Sequence, residues 1–272
     1  MSGLDAKRLP DLEKAWSARL TGTLGFPLYV YAEQDSVLDT LAAMAAGGAP
    51  AGTLVLAERQ RRGRGRLNRR WESPAGASLL LALLLRPGWG PAEAGLPLLA
   101  ASLALVRAAG DFGADLQVKW PNDVLHEGRK VAGVLAEGRV EGDRWRQLCL
   151  GVGVNVHQEP GDFPAELLVP AASLDEAAGF RLDRGDLLAA FLEELAPLLA
   201  DVEAGRAPAV VAAWKEFWPH AGATGVDEDG RRLRLDDVTR QGALVVEGPA
   251  GREVLAAGDV SVALPAPDAP PA

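Results

Sequence analysis

The chain has 272 residues, 48% of them apolar and 24% charged, with a mean hydropathy of +0.04. That composition belongs to a folded globular protein with room for one main domain and a smaller one, and it excludes the disordered and fibrous classes. A net charge of −9 argues against a general nucleic-acid binder, and the longest unbroken apolar run, Leu79 to Leu85, falls far short of the roughly 18 residues of a membrane span.

A lone cysteine, Cys149, forms no internal disulfide, and His126, His157 and His220 are too scattered to build a metal site with it. The first twenty residues alternate charged and apolar side chains without the apolar stretch of a secretory signal, so cytoplasmic residence is expected. Only five of the basic residues are lysines, which makes each lysine's position informative. Seven arginines fall between Arg59 and Arg70, leaving the rest of the chain with 37 acids against 21 bases. One segment is therefore a cationic patch on an acidic protein.

In chain order, Leu28 to Glu33 reads as a strand and Asp35 to Ala46 as a helix with Asp35 or Ser36 as N-cap, ended by Gly47, Gly48 and Pro50. Thr53 to Glu58 is a second strand running into the arginines, and Ser78 to Leu85 a buried strand bounded by Pro74 and Pro87. Leu96 to Asp111 reads as a long, nearly all-apolar helix. Next come Leu116 to Lys119, a turn at Trp120-Pro121-Asn122, and the strands Asp123 to His126 and Arg129 to Glu137, whose Glu127-Gly128 link signals a hairpin. Trp145 to Val156 is a further strand; Asp183 to Ala204, capped by Asp183, and Pro208 to Phe217 are helices. This order suggests a mixed α+β sheet covered on one side. After Gly222 come short strands with glycine turns (Arg231 to Val238, Ala243 to Glu247, Arg252 to Leu255 and Val260 to Leu264), as in a small β-barrel. A boundary near Pro219 divides the chain into 1–218 and 219–265, and the Pro/Ala-rich residues 266–272 read as a disordered tail.

Three segments are candidates for chemistry. Gln60 to Trp71, QRRGRGRLNRRW, cannot enter a core, because each guanidinium must be paired or solvated. It is either a solvated surface loop or an anion-binding lid in which glycine admits the ligand to the backbone and arginine forks grip phosphate. A dinucleotide fingerprint fails here, since Asn68 stands where its third glycine would be. Lys119 to Asp123, KWPND, sets a lysine, an indole and a carboxylate around a proline turn. It is either turn packing or a site in which Lys119 meets an anion and Asp123 a divalent cation. Lys130 lies on the returning hairpin strand. Finally, Gly151-Val152-Gly153-Val154-Asn155 puts glycines in a strand, the mark of a bulge or a close ligand approach.

Taken together and in order, Gln60-x-x-Gly63-Arg64-Gly65-Arg66-x-x-Arg69-x-Trp71-x-Ser73-Pro74, Lys119-Trp120-Pro121-Asn122-Asp123, Lys130-x-x-Gly133-x-Leu135 and Gly151-x-Gly153-x-Asn155 resemble the biotin protein ligase family. The resemblance runs from about Leu28 to Leu264. It implies a catalytic domain like that of class II aminoacyl-tRNA synthetases, followed by a small SH3-like β-barrel. It also implies a two-step ligase: biotin and ATP give biotinyl-adenylate, and a lysine of a biotin carboxyl carrier domain then displaces AMP. By the same resemblance Lys130, Arg64 and Arg66 would be catalytic. Ser36, Gln60, Gly63, Arg64, Arg66, Trp120, Lys130, Gly133 and Leu135 would bind biotin. Arg66, Arg69, Lys119, Asn122 and Asn155 would serve ATP, and Asp123 would hold Mg2+.

One departure stands out: the family's Ser-Thr-Asn triplet is here Ser36-Val37-Leu38, from which weaker biotin binding is expected. About 27 residues precede the first strand, too few for the DNA-binding domain of larger members, so a ligase without DNA or membrane partners is expected; a homodimer through sheet edges stays open. A lipoate or octanoate ligase or transferase, a nucleic-acid-binding module and a binding-only homologue are the alternatives.

Overall fold

The computed structural model describes residues 7–164, 166–167, 169–256, 258 and 260–262. The expected tail at 266–272, and the end of the strand expected to reach Leu264, lie outside them. In chain order the elements are α1 (Pro10–Ser17), β1 (Leu28–Tyr31), α2 (Val37–Ala46), β2 (Leu54–Ala57), β3 (Gly63–Arg64), β4 (Arg70–Trp71), β5 (Ser78–Leu85) and α3 (Leu96–Gly110). They continue with β6 (Gln117–Lys119), β7 (Asp123–His126), β8 (Arg129–Glu141), β9 (Arg144–Asn155), α4 (Leu174–Ala178), α5 (Arg184–Glu203) and α6 (Ala207–Lys215). Five short strands close the chain: β10 (Thr224–Asp227), β11 (Arg232–Val238), β12 (Leu244–Gly248), β13 (Gly251–Leu255) and β14 (Val260–Val262).

The main sheet has the order β1-β2-β5-β9-β8-β7-β6. β1 and β2 are parallel, joined by the crossover helix α2, and the other pairs are antiparallel. Alternation along each strand feeds two cores. Leu79, Leu81 and Leu83 of β5 and Leu150, Val152 and Val154 of β9 join the large core with α3, α5 and α6. Ala82, Leu84 and Cys149 instead join a smaller core with Val37, Leu38, Leu41 and Ala45 of α2. The expectation of helices on one side is thus corrected: both faces carry helices, but a single ten-residue helix covers the second face and leaves part of it open. Burial pushes the Cys149 thiol up to about 11, so it stays a neutral core group.

The stretch Pro91–Gly110 is long and apolar enough by composition to cross a membrane, and two thirds of it is buried in this fold. Its helix α3 is the spine of the large core, in contact with α5 and α6.

The C-terminal strands form a separate antiparallel sheet, β13-β12-β11-β10-β14. Its Leu233, Leu235, Val238, Leu244, Val246 and Val260 are continuous with the large core. Trp120 Nε1 donates to the Gly242 carbonyl at 2.9 Å, and Lys215 pairs with Asp237. Both contacts fasten the C-terminal sheet to the rest of the chain, the first at the β6–β7 turn and the second at α6.

Candidate functional site

The part of the second sheet face that α2 leaves open is floored by glycine. Gly133 of β8 lies opposite Gly153 of β9, and Leu135 opposite Gly151. Side chains are excluded there by what sits above: a methyl at Gly153 would lie 2.8 Å from Trp71 Cε2, and one at Gly151 would lie 3.0 Å from Leu38 Cδ1. The Trp71 indole therefore rests on the Gly133–Gly153 pair. Over this floor lies a pocket of about 440 Å³ walled by α2, the arginine segment, β7 to β9 and the segment around residues 163–171. Two buried polar atoms on its wall, Ser36 Oγ and Trp71 Nε1, have no hydrogen-bond partner. A ligand with complementary polar groups would satisfy both.

Lys130 enters the pocket from a bulge. The β7–β8 register passes from Val124↔Ala132 to Leu125↔Lys130, so Val131 faces no partner and the strand bends. The Lys130 ammonium pairs with Asp123 Oδ1 at 2.6 Å and stands 5.8 Å from the centre of the Trp71 ring. Its backbone is held from outside the ladder: Lys130 N donates to the Pro170 carbonyl, and Ala172 N to the Lys130 carbonyl.

The arginine segment is a small hairpin, β3 against β4, with Gly63 opposite Trp71. Gly63 is required there because a methyl would fall 2.3 Å from the Trp71 carbonyl oxygen. Its arginines lean on acids: Arg61 on Asp35 (2.7 Å) and Glu33 (3.2 Å), Arg59 on Glu33 (3.5 Å), and Arg64 on Asp39 (2.9 Å) and Glu137 (2.8 Å). The hydrogen bond to Asp35 holds the Arg61 guanidinium above its ordinary value. Exposed pairs of this kind are weak, so a bound polyanion can replace them. Arg66 reaches further, donating to Asn122 Oδ1 (3.3 Å) and to the Gly258 carbonyl (2.8 Å) of the C-terminal sheet.

Of the expected site residues, Ser36, Gln60, Arg64, Arg66, Arg69, Asn122, Asp123, Lys130, Gly133, Leu135 and Asn155 line this pocket. Gly63 stands behind it as the hairpin's contact point. Lys119 and Trp120, expected to touch ATP and biotin, do not line it. Both are buried near the C-terminal sheet, where Trp120 bonds Gly242. Burial, with help from the Lys119 charge, pushes the neighbouring His220 imidazole down to about 4. Asn155 lines the pocket but has its amide engaged elsewhere: Nδ2 donates to the Lys130 and Ala172 carbonyls, and Oδ1 accepts from Gln158. Asp123, expected to hold Mg2+, is paired with Lys130, and no group of three potential metal ligands occurs among the described residues. Magnesium is commonly held by one or two carboxylates together with substrate phosphates, and Asp123 is a carboxylate of this pocket that would serve, on giving up Lys130. Sequence reasoning gave no role to Trp71 or Leu38, while the glycines of β9 that it marked for a bulge or a close ligand approach, Gly151 and Gly153, line the pocket floor.

The fold and pocket define a chain that seats a small ligand on a glycine floor between a lysine and a cationic hairpin. Residues 33–155 match the model of the biotin/lipoate A/B protein ligase family. The chain is 36% identical to the biotin--[acetyl-CoA-carboxylase] ligase of Paracoccus denitrificans over 76% of its own length and 88% of that protein's. It is 38% identical to the bifunctional ligase/repressor BirA of Bacillus subtilis over 62% of its length, and spans about half of that relative. Its structure matches the biotin protein ligase of Aquifex aeolicus in complex with biotin and ATP, with a TM-score of 0.72 and 25% identity over 86% of this chain and 97% of that one. The chain belongs to the biotin/lipoate A/B protein ligase family.

Proposed function

We propose that the chain is a biotin protein ligase acting in two steps. In the first, a biotin carboxylate oxygen attacks the α-phosphorus of ATP, forming biotinyl-adenylate and releasing pyrophosphate. In the second, the ε-amine of a carrier-domain lysine attacks the acyl carbon, forming an amide and releasing AMP. The observation that carries this reading is the pocket's lining: an apolar glycine and indole floor, two unpartnered polar atoms (Ser36 Oγ and Trp71 Nε1), and a lysine with an arginine hairpin on the same wall. That matches a ligand with an uncharged polar head, an apolar chain and a carboxylate to be activated.

In this reading Ser36 Oγ and Gln60 meet the polar head, with Gln60 fixed by accepting from Val37 N at 2.8 Å. Gly133 and Leu135 supply wall and backbone along the chain. Lys130 exchanges Asp123 for the biotin carboxylate and then stabilises the charge that develops at the adenylate linkage. Arg64, Arg66 and Arg69 trade their present partners for phosphate oxygens, and Asn122 sets the reach of Arg66. Closure of the hairpin would shield the acyl-adenylate from water. The proposed division at residue 219 makes the second sheet a small domain that supplies the Gly258 contact to Arg66.

The names of the relatives favour biotin over lipoate, and the acid partners of the arginines favour a ligand hairpin over a nucleic-acid surface. Incubating the protein with biotin, ATP, Mg2+ and a biotin carboxyl carrier domain tests the whole reading. Carrier that gains the mass of one biotinyl group on a lysine supports it; transfer of lipoyl or octanoyl groups instead would replace it.

A further inference from the structure

The bulge that aims Lys130 into the pocket leaves it opposite Leu125 of β7, with its N–H and carbonyl bonded away from β7 to Pro170 and Ala172. Asn155 adds a side-chain tie to the same place: both of its Nδ2 hydrogens are used, on the Lys130 carbonyl (3.3 Å) and the Ala172 carbonyl (3.2 Å). An amide can serve two carbonyls only with its nitrogen turned toward them, which leaves its oxygen needing a donor on the other side. That donor is Gln158 Nε2, at 3.1 Å. Gln158 is 4% exposed, and the same Nε2 donates to Ser78 Oγ at 2.5 Å and approaches Ser73 Oγ at 3.4 Å, where the arginine hairpin ends. Gln158 Oε1 has no partner. Its nitrogen end is therefore the part the structure uses.

We infer that Gln158 is a positioning residue for the ligase reaction: by donating to Asn155 it locks the orientation of that amide, which in turn fixes the backbone of Lys130. The inference rests on the ligase reading. Without the Gln158 donor, Asn155 Oδ1 is left buried and unpaired, and the amide shifts to reach another donor, drawing Nδ2 off the Lys130 and Ala172 carbonyls and loosening the bulge. Lys130 would still fill the pocket, but without a fixed place at the reacting carboxylate. The loss would fall mainly on turnover, since the floor, Ser36 and Gln60 still hold biotin when Lys130 is only misplaced.

The test measures pyrophosphate release from biotin and ATP for the wild-type chain, Gln158→Met, Lys130→Met and the double variant. Methionine keeps the shape and removes the donor. Gln158→Met is expected to lower kcat by about 10- to 100-fold, with the KM for biotin little changed, as for a misplaced catalytic group. In the Lys130→Met background the same substitution should cost nothing further, because the two act as one unit. Should Gln158→Met fail to fold, Ser78→Ala, which removes the second acceptor that orients the Gln158 Nε2, is expected to show the same split in weaker form. Full turnover by an active wild type and its Gln158 variant alike, or an equal kcat loss in both backgrounds, would overturn the inference alone. A wild-type chain that releases no pyrophosphate would overturn the ligase reading together with it.

Discussion

Lys119 and Lys130 sit at two ends of one β6–β7–β8 unit and have opposite fates. Lys130, on the bulge, is 27% exposed in its side chain and faces a carboxylate and an open pocket. Lys119, on the edge strand, is buried with Trp120 against the C-terminal sheet, close enough to His220 to help keep that imidazole neutral. The difference teaches that two lysines of one unit can differ in access: the backbone opens this pocket at Lys130 and not at Lys119. Glycine on β8 and β9 makes the space around Lys130, whereas Lys119 is only 8% exposed.

The comparison breaks most sharply at Lys130. Lys130→Met should lower adenylate formation by about 100- to 1,000-fold, read as pyrophosphate release, with the thermal midpoint little changed. On the floor, Gly153→Ala pushes a methyl against the Trp71 indole, and repacking costs of about 1–3 kcal/mol should weaken biotin binding by about 10- to 100-fold in calorimetry. At the Lys119 end the effects should fall on stability. His220 has a folded value of about 4 against an ordinary 6.5. Above pH 6.5 it is neutral folded or unfolded; as pH falls from there the unfolded chain takes up a proton that the folded one refuses. Its share of stability is therefore lost between about pH 6.5 and 4 and changes no further below, at roughly 1.4 kcal/mol per pK unit. Urea melts across that window should show a shallower loss for His220→Phe. Trp120→Phe strands the Gly242 carbonyl and should cost about 1–3 kcal/mol in urea melts, leaving the KM for biotin unchanged. The smallest effect belongs to Val37, which lines the pocket beside Ser36. Val37→Thr should restore a hydroxyl and tighten biotin binding by up to about tenfold; no gain would show that this hydroxyl does not reach the ligand.

Much of the fold was legible because strong local signals agree with it. Ser78–Leu85 and Asp123–His126 form strands with the expected bounds, and Asp183 caps its helix by accepting from Gly185 N and Asp186 N. The Glu127-Gly128 turn has both residues at positive φ, as a two-residue hairpin requires. What escaped was set by distant neighbours. α1 starts after Leu9 without a side-chain cap, and α4 is only five residues long. β10 contains Gly225, a poor strand former that is there because a methyl would fall 2.4 Å from Val260 Cγ1. The two-stranded fold of the arginine segment was hidden because its pairing is two residues long. In the site, the arginines, Gln60 and Lys130 were legible from their chemistry. Trp71 was not, since its role comes from a glycine pair more than sixty residues away.

The account turns on whether the Lys130 pocket activates a carboxylate. The direct measurement is to incubate the protein with biotin, ATP and Mg2+, isolate it, and identify the bound small molecule by mass. Biotinyl-adenylate on the wild-type chain, and unreacted biotin on Lys130→Met, is the predicted result. Wild-type protein that carries biotin unchanged, or a Lys130→Met variant that accumulates the adenylate at the wild-type rate, would contradict it.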